Sequence, residues 1–166
     1  EKNVESIIDI EGFINKDIDI IFNNISFIEN KNKLTLNKLS VDKNFKINHI
    51  DEIDIDFINN NKIKNKINLK RIKKNYKING KIFDASNLIK QLLNNNDSES
   101  LSNIFNDFNS NISIKINKTH IDKISFVKNL KASLEFKNGR IEQLNLESYF
   151  KNDKKLTFTI NTDKND

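Results

Sequence analysis

Alternating carboxylates are the residues of this chain whose spacing comes closest to a metal-binding pattern. The stretch "KDIDIIF" carries Asp17 and Asp19, and "EIDIDF" carries Glu52, Asp54 and Asp56. Carboxylates at positions i and i+2 of a strand share one face, so their oxygens could converge on a hard cation such as Ca²⁺. Calcium loops need a glycine and a compact turn, whereas isoleucine alternates with the acids here. We therefore interpret these carboxylates as a solvated strand face that discourages edge pairing, and we predict no metal site.

The densest positive charge lies in "KIKNKINLKRIKKNYK", residues 62–77. Such a run could contact phospholipid head groups or nucleic acid. Tyr76 is its single aromatic residue, too few for a base-stacking platform, and the chain has only Arg71 and Arg140 for bidentate base contacts. We expect a solvated, lysine-rich sheet face and no nucleic-acid partner.

No residue pattern supports an enzyme. His49 and His120 are isolated from each other and from any Ser or Cys at catalytic spacing. Phosphate-binding glycine loops, nucleophile-elbow sequences and HExxH sequences are absent from the chain. We interpret both histidines as structural or surface residues and predict neither catalytic residues nor a cofactor.

The composition limits what else the chain can be. Its 166 residues include no Cys, Pro, Met or Trp, only 3 Gly, and a formal charge of +5. The lack of cysteine excludes disulfides and thiolate metal sites. The abundant Asn, Ile and Lys have A/T-rich codons, which indicates a low-GC genome. Because there is no Met and the chain opens on "EKNVESIIDIEGF", which is typical of a β-rich interior, we expect residues 1–166 to be an excerpt of a longer protein.

Alternation of apolar and polar residues dominates the sequence and predicts about ten β-strands. Asn- and Lys-rich stretches such as residues 30–32, 59–61 and 137–139 separate the strands and predict hairpin turns. One face of each strand is apolar and the other is charged, so the apolar faces need a cover. The strand positions that we expect to line a shared apolar surface are Ile18, Ile20, Phe22, Ile53, Ile55, Phe57, Ile112, Ile114, Ile116, Leu134, Phe136, Leu144, Leu146 and Phe158.

In the middle of the chain, the spacing of the apolar residues changes from alternation to a helical period. After Asp84, a candidate N-cap, the apolar residues are Leu88, Ile89, Leu92 and Leu93. Residues 101–108 could hold a second short helix. We therefore predict a first strand set at 1–83, a helical insert at 84–110 and a second strand set at 111–166. The helix is expected to pack on the sheet, to form a lid over it, or both.

These elements together predict a mainly β fold: a curved antiparallel meander that forms an open, taco-like groove, with one or two short helices near its middle. A sheet of this kind can bury its apolar face against a second sheet, by curling on itself, or under a helix or lipid. The sequence alone leaves these possibilities open.

Residues 76–160 combine a "G-x-x-x-D" step at the end of a strand, an amphipathic helix, and a later "F-x-N-G-R-I-x-x-L-x-L" hairpin within residues 111–150. This combination resembles the AsmA-like family of the Gram-negative envelope. The matching residues of the first part are Gly80, Asp84, Leu88, Ile89, Leu92 and Leu93. The chain departs from the family pattern at Ser148, where a small glycine is usual.

The resemblance implies a segment of a periplasmic β-groove that binds phospholipid acyl chains and helps to move lipid between the inner and outer membranes. It also implies an inner-membrane anchor and membrane contacts through parts of the parent protein outside this excerpt. Two other readings of the residues remain open: a structural or adhesive β-rich envelope module that transports no ligand, and a small soluble binding protein with a closed barrel.

Overall fold

The computed structural model of the protein describes residues 6–14, 19–43, 47–93 and 108–162, which form one β-sheet and one α-helix. The helix, α1, spans Ser86–Leu93. The strands are β1 (Ser6–Ile14), β2 (Asp19–Glu29), β3 (Asn32–Asp42), β4 (Ile47–Ile58), β5 (Lys64–Ile72), β6 (Asn75–Asp84), β7 (Ser110–His120), β8 (Phe126–Lys137), β9 (Arg140–Phe150) and β10 (Lys155–Asn161).

The strands follow one another across the sheet in sequence order, from β1 to β10. Among the described strands, β1 pairs only with β2 and β10 only with β9, so the sheet has two free edges. The sheet curls but does not close. The prediction of a mainly β chain with a curved, open sheet and a short central helix is confirmed.

The predicted antiparallel meander is wrong at one junction. Of the nine neighbouring strand pairs, eight are antiparallel, whereas β6 and β7 run parallel. Two parallel neighbours cannot be joined by a tight hairpin, because the chain has to return to the end where it started. Helix α1 follows β6 directly and begins this return. Helix α1 therefore follows the last strand before the point where the meander is interrupted.

The predicted hairpin turns are confirmed where asparagine or glycine adopts positive φ. Asn30, between β2 and β3, has a φ of 54°. Asn138 and Gly139, between β8 and β9, have φ values of 48° and 75°. Two consecutive residues with positive φ are the conformation of a type I′ turn, whose twist matches that of the flanking strands. The turn at residues 59–61 also joins two antiparallel strands, β4 and β5.

The second predicted helix, at residues 101–108, lies outside the described residues except for Phe108. This residue precedes β7 and is not helical. Its ring lies 5.8 Å from the ring of Tyr76 and 5.3 Å from that of Phe136, in an edge-to-face arrangement with Phe136. Phe108 thus joins β6 and β8 across the start of β7.

Fully buried side chains are few and small. The buried hydrophobic residues of the described chain are Val41, Ala85, Ile116 and Val127. Val127 pairs with Thr119, and both are at most 3% exposed. Close by, the Ala85 N–H donates to the His120 carbonyl oxygen at 2.8 Å. The best-packed region is therefore the place where α1 begins beside β7 and β8.

Candidate functional site

A single row of apolar residues crosses the whole sheet, with one residue from every strand. Directly paired residues of neighbouring strands lie on the same face, so the register defines this row. We call it the central apolar row: Ile10, Ile25, Leu36, Ile53, Leu69, Ile78, Ile114, Ala132, Leu146 and Phe158. No polar residue interrupts it, and it continues through the parallel β6–β7 pair.

Two further rows of paired residues flank the central one. The first consists of Ile8, Phe27, Leu34, Ile55, Ile67, Gly80, Ile116 and Leu130. The second consists of Ile112, Leu134, Leu144 and Ile160. A Cβ atom at Gly80 would lie 3.2 Å from Ile116 Cγ1, so the glycine lets Ile116 pack closely over β6. The three rows together are called the apolar face below.

The apolar face remains partly open to solvent. Only Ile116 of its members is buried. At the two edges, Ile8 is 66% exposed, Ile10 is 58% exposed and Phe158 is 52% exposed. All nine residues of β1 are exposed. Because monomeric proteins rarely leave a contiguous apolar surface of this extent uncovered, the face is a candidate for ligand or partner binding.

The structure brings together nine of the residues predicted to line a groove: Ile53, Ile55, Ile112, Ile114, Ile116, Leu134, Leu144, Leu146 and Phe158. Four other predicted lining residues lie towards strand ends, beyond the three rows. They are Ile20, Phe22, Phe57 and Phe136, which pair with Val41, Leu39, Asn65 and Ser110, respectively. Ile18 lies outside the described residues.

Several residues of the apolar face were missed by the prediction of the lining. Five of them belong to the central row: Ile10, Ile25, Leu36, Leu69 and Ile78. Each carries the same alternation signal as the residues that were selected. Alternation alone does not give the cross-strand register, and the register determines which residue of each strand belongs to a common row.

Helix α1 is buried at its start and exposed further along. Ala85 and Ser86 are buried, Ile89 is half-buried and Leu88 is 42% exposed. The side chains of Leu92 and Leu93 lie outside the described part of the chain. The proposed roles of Leu88 and Ile89, as lid or as packing residues, therefore remain predictions. The described contact of the helix with the sheet is at its first turn.

A hydrogen-bonded carboxylate fixes that first turn. Asp84 Oδ2 accepts from Asn59 Nδ2 at 2.6 Å and from Asn61 Nδ2 at 2.9 Å, and Asp84 Oδ1 accepts from the Ser86 N–H at 3.0 Å. Asn65 Oδ1 accepts from the Asp84 N–H at 2.8 Å. Burial alone raises the pKa of Asp84, but the hydrogen bonds from Asn61, Ser86 and Asn59 outweigh it and lower the pKa to about 2.

Asp84 thus stabilises the start of the helix, although it lies one residue before the N-cap position. The Ala85 carbonyl accepts the first intrahelical bond, from the Ile89 N–H at 2.9 Å, which makes Ala85 the capping position. The Asp84 carboxylate satisfies the N–H of the next residue, Ser86. Through Asn59 and Asn61 it also ties the β4–β5 turn to the beginning of the crossover.

On the opposite face, lysines and amides contact the acidic residues predicted in β4, whereas Asp17 and the side chain of Asp19 lie outside the described part of the chain. Asp56 forms ion pairs with Lys64 at 3.0 Å and with Lys66 at 3.3 Å, and the hydrogen bond from Lys64 lowers the pKa of Asp56. Asn68 Nδ2 donates to Asp54 Oδ1 at 2.9 Å. No group of three or more His, Asp and Glu side chains in the described ranges is placed to hold a metal ion.

The histidines occupy unrelated places. His49 pairs with Ser40 at the start of β4. His120 ends β7, and its ring lies 5.8 Å from that of Phe126. Burial lowers the pKa of His120, and Lys118 lowers it further. The two rings are on separate strands and do not form a joint site.

Comparison with family models, curated proteins and solved structures finds no match for this chain. The resemblance of residues 76–160 to the AsmA-like family stays a prediction from the sequence pattern. None of the helices described is long and apolar enough to cross a membrane.

Proposed function

We propose that this chain is a segment of a β-groove that binds phospholipid acyl chains and passes them along its apolar face, in a periplasmic protein that links the inner and outer membranes. The observation that supports the proposal most directly is the central apolar row, which runs through all ten strands without a polar residue. The AsmA-like sequence pattern supports the location and the lipid class.

The chemistry of the apolar face suits an acyl chain better than a small polar ligand. Aliphatic and aromatic side chains form its rows, and their attraction for a hydrocarbon chain is non-directional. Each CH₂ group removed from water contributes about 0.8 kcal/mol, so contact with several side chains is enough to hold a lipid. Because no fixed hydrogen bond has to break, the bound chain can slide from one strand to the next.

The test is acyl-chain binding with a matched pair of variants on one edge strand. Phe158 belongs to the central row and Thr159 points to the opposite face, while both are exposed. We compare Phe158→Asn with Thr159→Asn, using a fluorescent fatty acid, and we analyse protein purified from bacteria for bound phospholipid by native mass spectrometry.

Phe158→Asn is expected to weaken probe binding about fivefold. Full burial of a Phe side chain contributes about 1.5–3 kcal/mol, and with Phe158 52% exposed in the free protein roughly half of this, about 1 kcal/mol, remains for the ligand. Thr159→Asn should leave binding unchanged. Purification without lipid and failure of the wild-type protein to bind the probe would overturn the proposal and favour a structural or adhesive envelope module.

A further inference from the structure

The turn that joins β7 to β8, residues 121–125, is held in one shape by its own hydrogen bonds. Asp122 Oδ1 accepts from the Ile124 N–H at 2.7 Å and from the Ser125 N–H at 2.6 Å. The Ile121 N–H donates to the Ser125 carbonyl oxygen at 3.1 Å. The Asp122 carboxylate is therefore occupied by backbone groups of the turn, and these bonds hold the backbone that carries Ile124.

Ile124 is the most exposed of the large hydrophobic residues described, at 90%. It borders a cleft of about 710 Å³ that lies between this turn and the β9–β10 turn. Phe126 and Phe150 line the same cleft, and Phe150 is 37% exposed. Phe150 alternates in β9 with Leu146 and so lies on the same side of that strand as the central apolar row. Phe150 therefore places part of the cleft lining on the same side of β9 as the apolar face.

The remaining lining of the cleft is polar and basic. Lys151, Asn152 and Lys154 come from the β9–β10 turn. The acid within this turn, Asp153, pairs with Lys128 at 2.7 Å. Neither Lys151 nor Lys154 forms an ion pair with a residue in the described ranges. Two ammonium groups that have no carboxylate partner among the described residues thus lie beside apolar side chains. This arrangement is complementary to a molecule with an anionic head and a hydrocarbon tail.

We infer that this cleft binds the anionic head of an amphiphile, with the head at Lys151 and Lys154 and the start of the tail on Phe150 and Ile124. The inference rests on the proposed lipid-binding function, and it adds the position of the head group at the rim of the sheet. Lysine ammonium groups bind phosphate as point charges, so a phosphate head is compatible with Lys151 and Lys154. The fixed turn keeps Ile124 at the entrance, so the tail enters the apolar face past this residue.

The probe is dodecyl phosphate below its micelle concentration, followed by amide chemical shifts in NMR. Binding at the cleft is expected to shift the amides of Ile124, Asn152 and Lys154. Inorganic phosphate at the same concentration should leave them unchanged, because the tail contributes most of the affinity. Dodecyl maltoside, with the same tail and a neutral head, should bind at least fivefold more weakly.

The test variant combines Ile124→Asn, Lys151→Gln and Lys154→Gln. The β5–β6 turn at the other rim offers a matched control, because it also has an exposed isoleucine followed by two lysines: Ile72→Asn, Lys73→Gln and Lys74→Gln. The test variant should weaken dodecyl phosphate binding at least tenfold, and the control should stay within twofold of wild type.

Three results would overturn the inference. If dodecyl phosphate shifts only amides of the central apolar row and the test variant binds it like wild type, the cleft is not the head-group site, although the lipid function stands. If inorganic phosphate alone produces the same shifts, the site binds phosphate without a tail. If dodecyl phosphate shifts no amide and the fatty-acid probe does not bind either, both the cleft site and the proposed function are wrong.

Discussion

Replacing Asp84 with asparagine should destabilise the protein at neutral pH and leave its stability almost unchanged in acid. The carboxylate accepts hydrogen bonds from Asn59, Asn61 and Ser86. In Asp84→Asn one oxygen becomes an NH₂ group, which cannot accept a hydrogen bond. Depending on its orientation, the amide therefore loses either the bonds from Asn59 and Asn61 or the bond from the Ser86 N–H.

The magnitude follows from the pKa of Asp84, which the fold lowers from 3.8 to about 2. A difference of about 1.8 pKa units, at about 1.36 kcal/mol for each, corresponds to about 2.4 kcal/mol. Water reaches part of this carboxylate, and solvent screening reduces the figure to about 1–2 kcal/mol. Because the folded pKa is the lower one, this stabilisation is complete above pH 3.8 and is lost as the pH falls towards 2.

The assay is urea unfolding of the wild type and Asp84→Asn between pH 7 and pH 2.5, with the carboxyl ¹³C shift of Asp84 as a direct measure of its pKa. The difference in unfolding free energy should be about 1–2 kcal/mol at pH 7 and shrink below pH 3.8. Asp54→Asn is the control, since Asp54 accepts from the single amide of Asn68. A difference that is independent of pH, or equal in the control, would refute the electrostatic account of the helix start.

Two more substitutions test the packing. Gly12→Ala should destabilise the β1–β2 pairing by about 1–3 kcal/mol, because a Cβ at Gly12 would lie 2.6 Å from the Ile21 carbonyl oxygen; hydrogen exchange should show faster exchange in β1 and unchanged exchange in β7. Thr119→Val should raise the unfolding free energy by up to about 1 kcal/mol, since the Thr119 hydroxyl is buried and has no hydrogen-bond partner among the described residues. A urea midpoint that falls in Thr119→Val would contradict this reasoning.

The strands and hairpins could be predicted because their signals are local. Alternation such as that of Ile112, Ile114 and Ile116 requires no knowledge of the neighbouring strands. The Asn138–Gly139 turn follows from the tolerance of these two residues for positive φ. The amphipathic pattern after Asp84 likewise identified the helix, and the Asp84 carboxylate accepts from the N–H of its first residue, Ser86.

The direction of β7 and the full composition of the apolar face could not be predicted, because both depend on contacts distant in sequence. The apolar spacing of α1 is the same whether its chain returns for a parallel strand or continues the meander. The parallel β6–β7 pair is set by the register that places Ile78 beside Ile114. Lys38 and Asn129 lie inside strands but have φ values of 50° and 54°, which interrupt the extended backbone geometry. No local sequence motif predicts these two conformations.

The parallel pair also decides at which rim the chain leaves the sheet. In an uninterrupted hairpin series of ten strands, the tenth would run opposite to the first, and Ser6 and Asn161 would lie at the same rim. The single change of direction between β6 and β7 makes β1 and β10 co-directional. Ser6 and Asn161 are consequently on opposite rims, so a link engineered between these two positions would have to span the sheet along the full length of its strands.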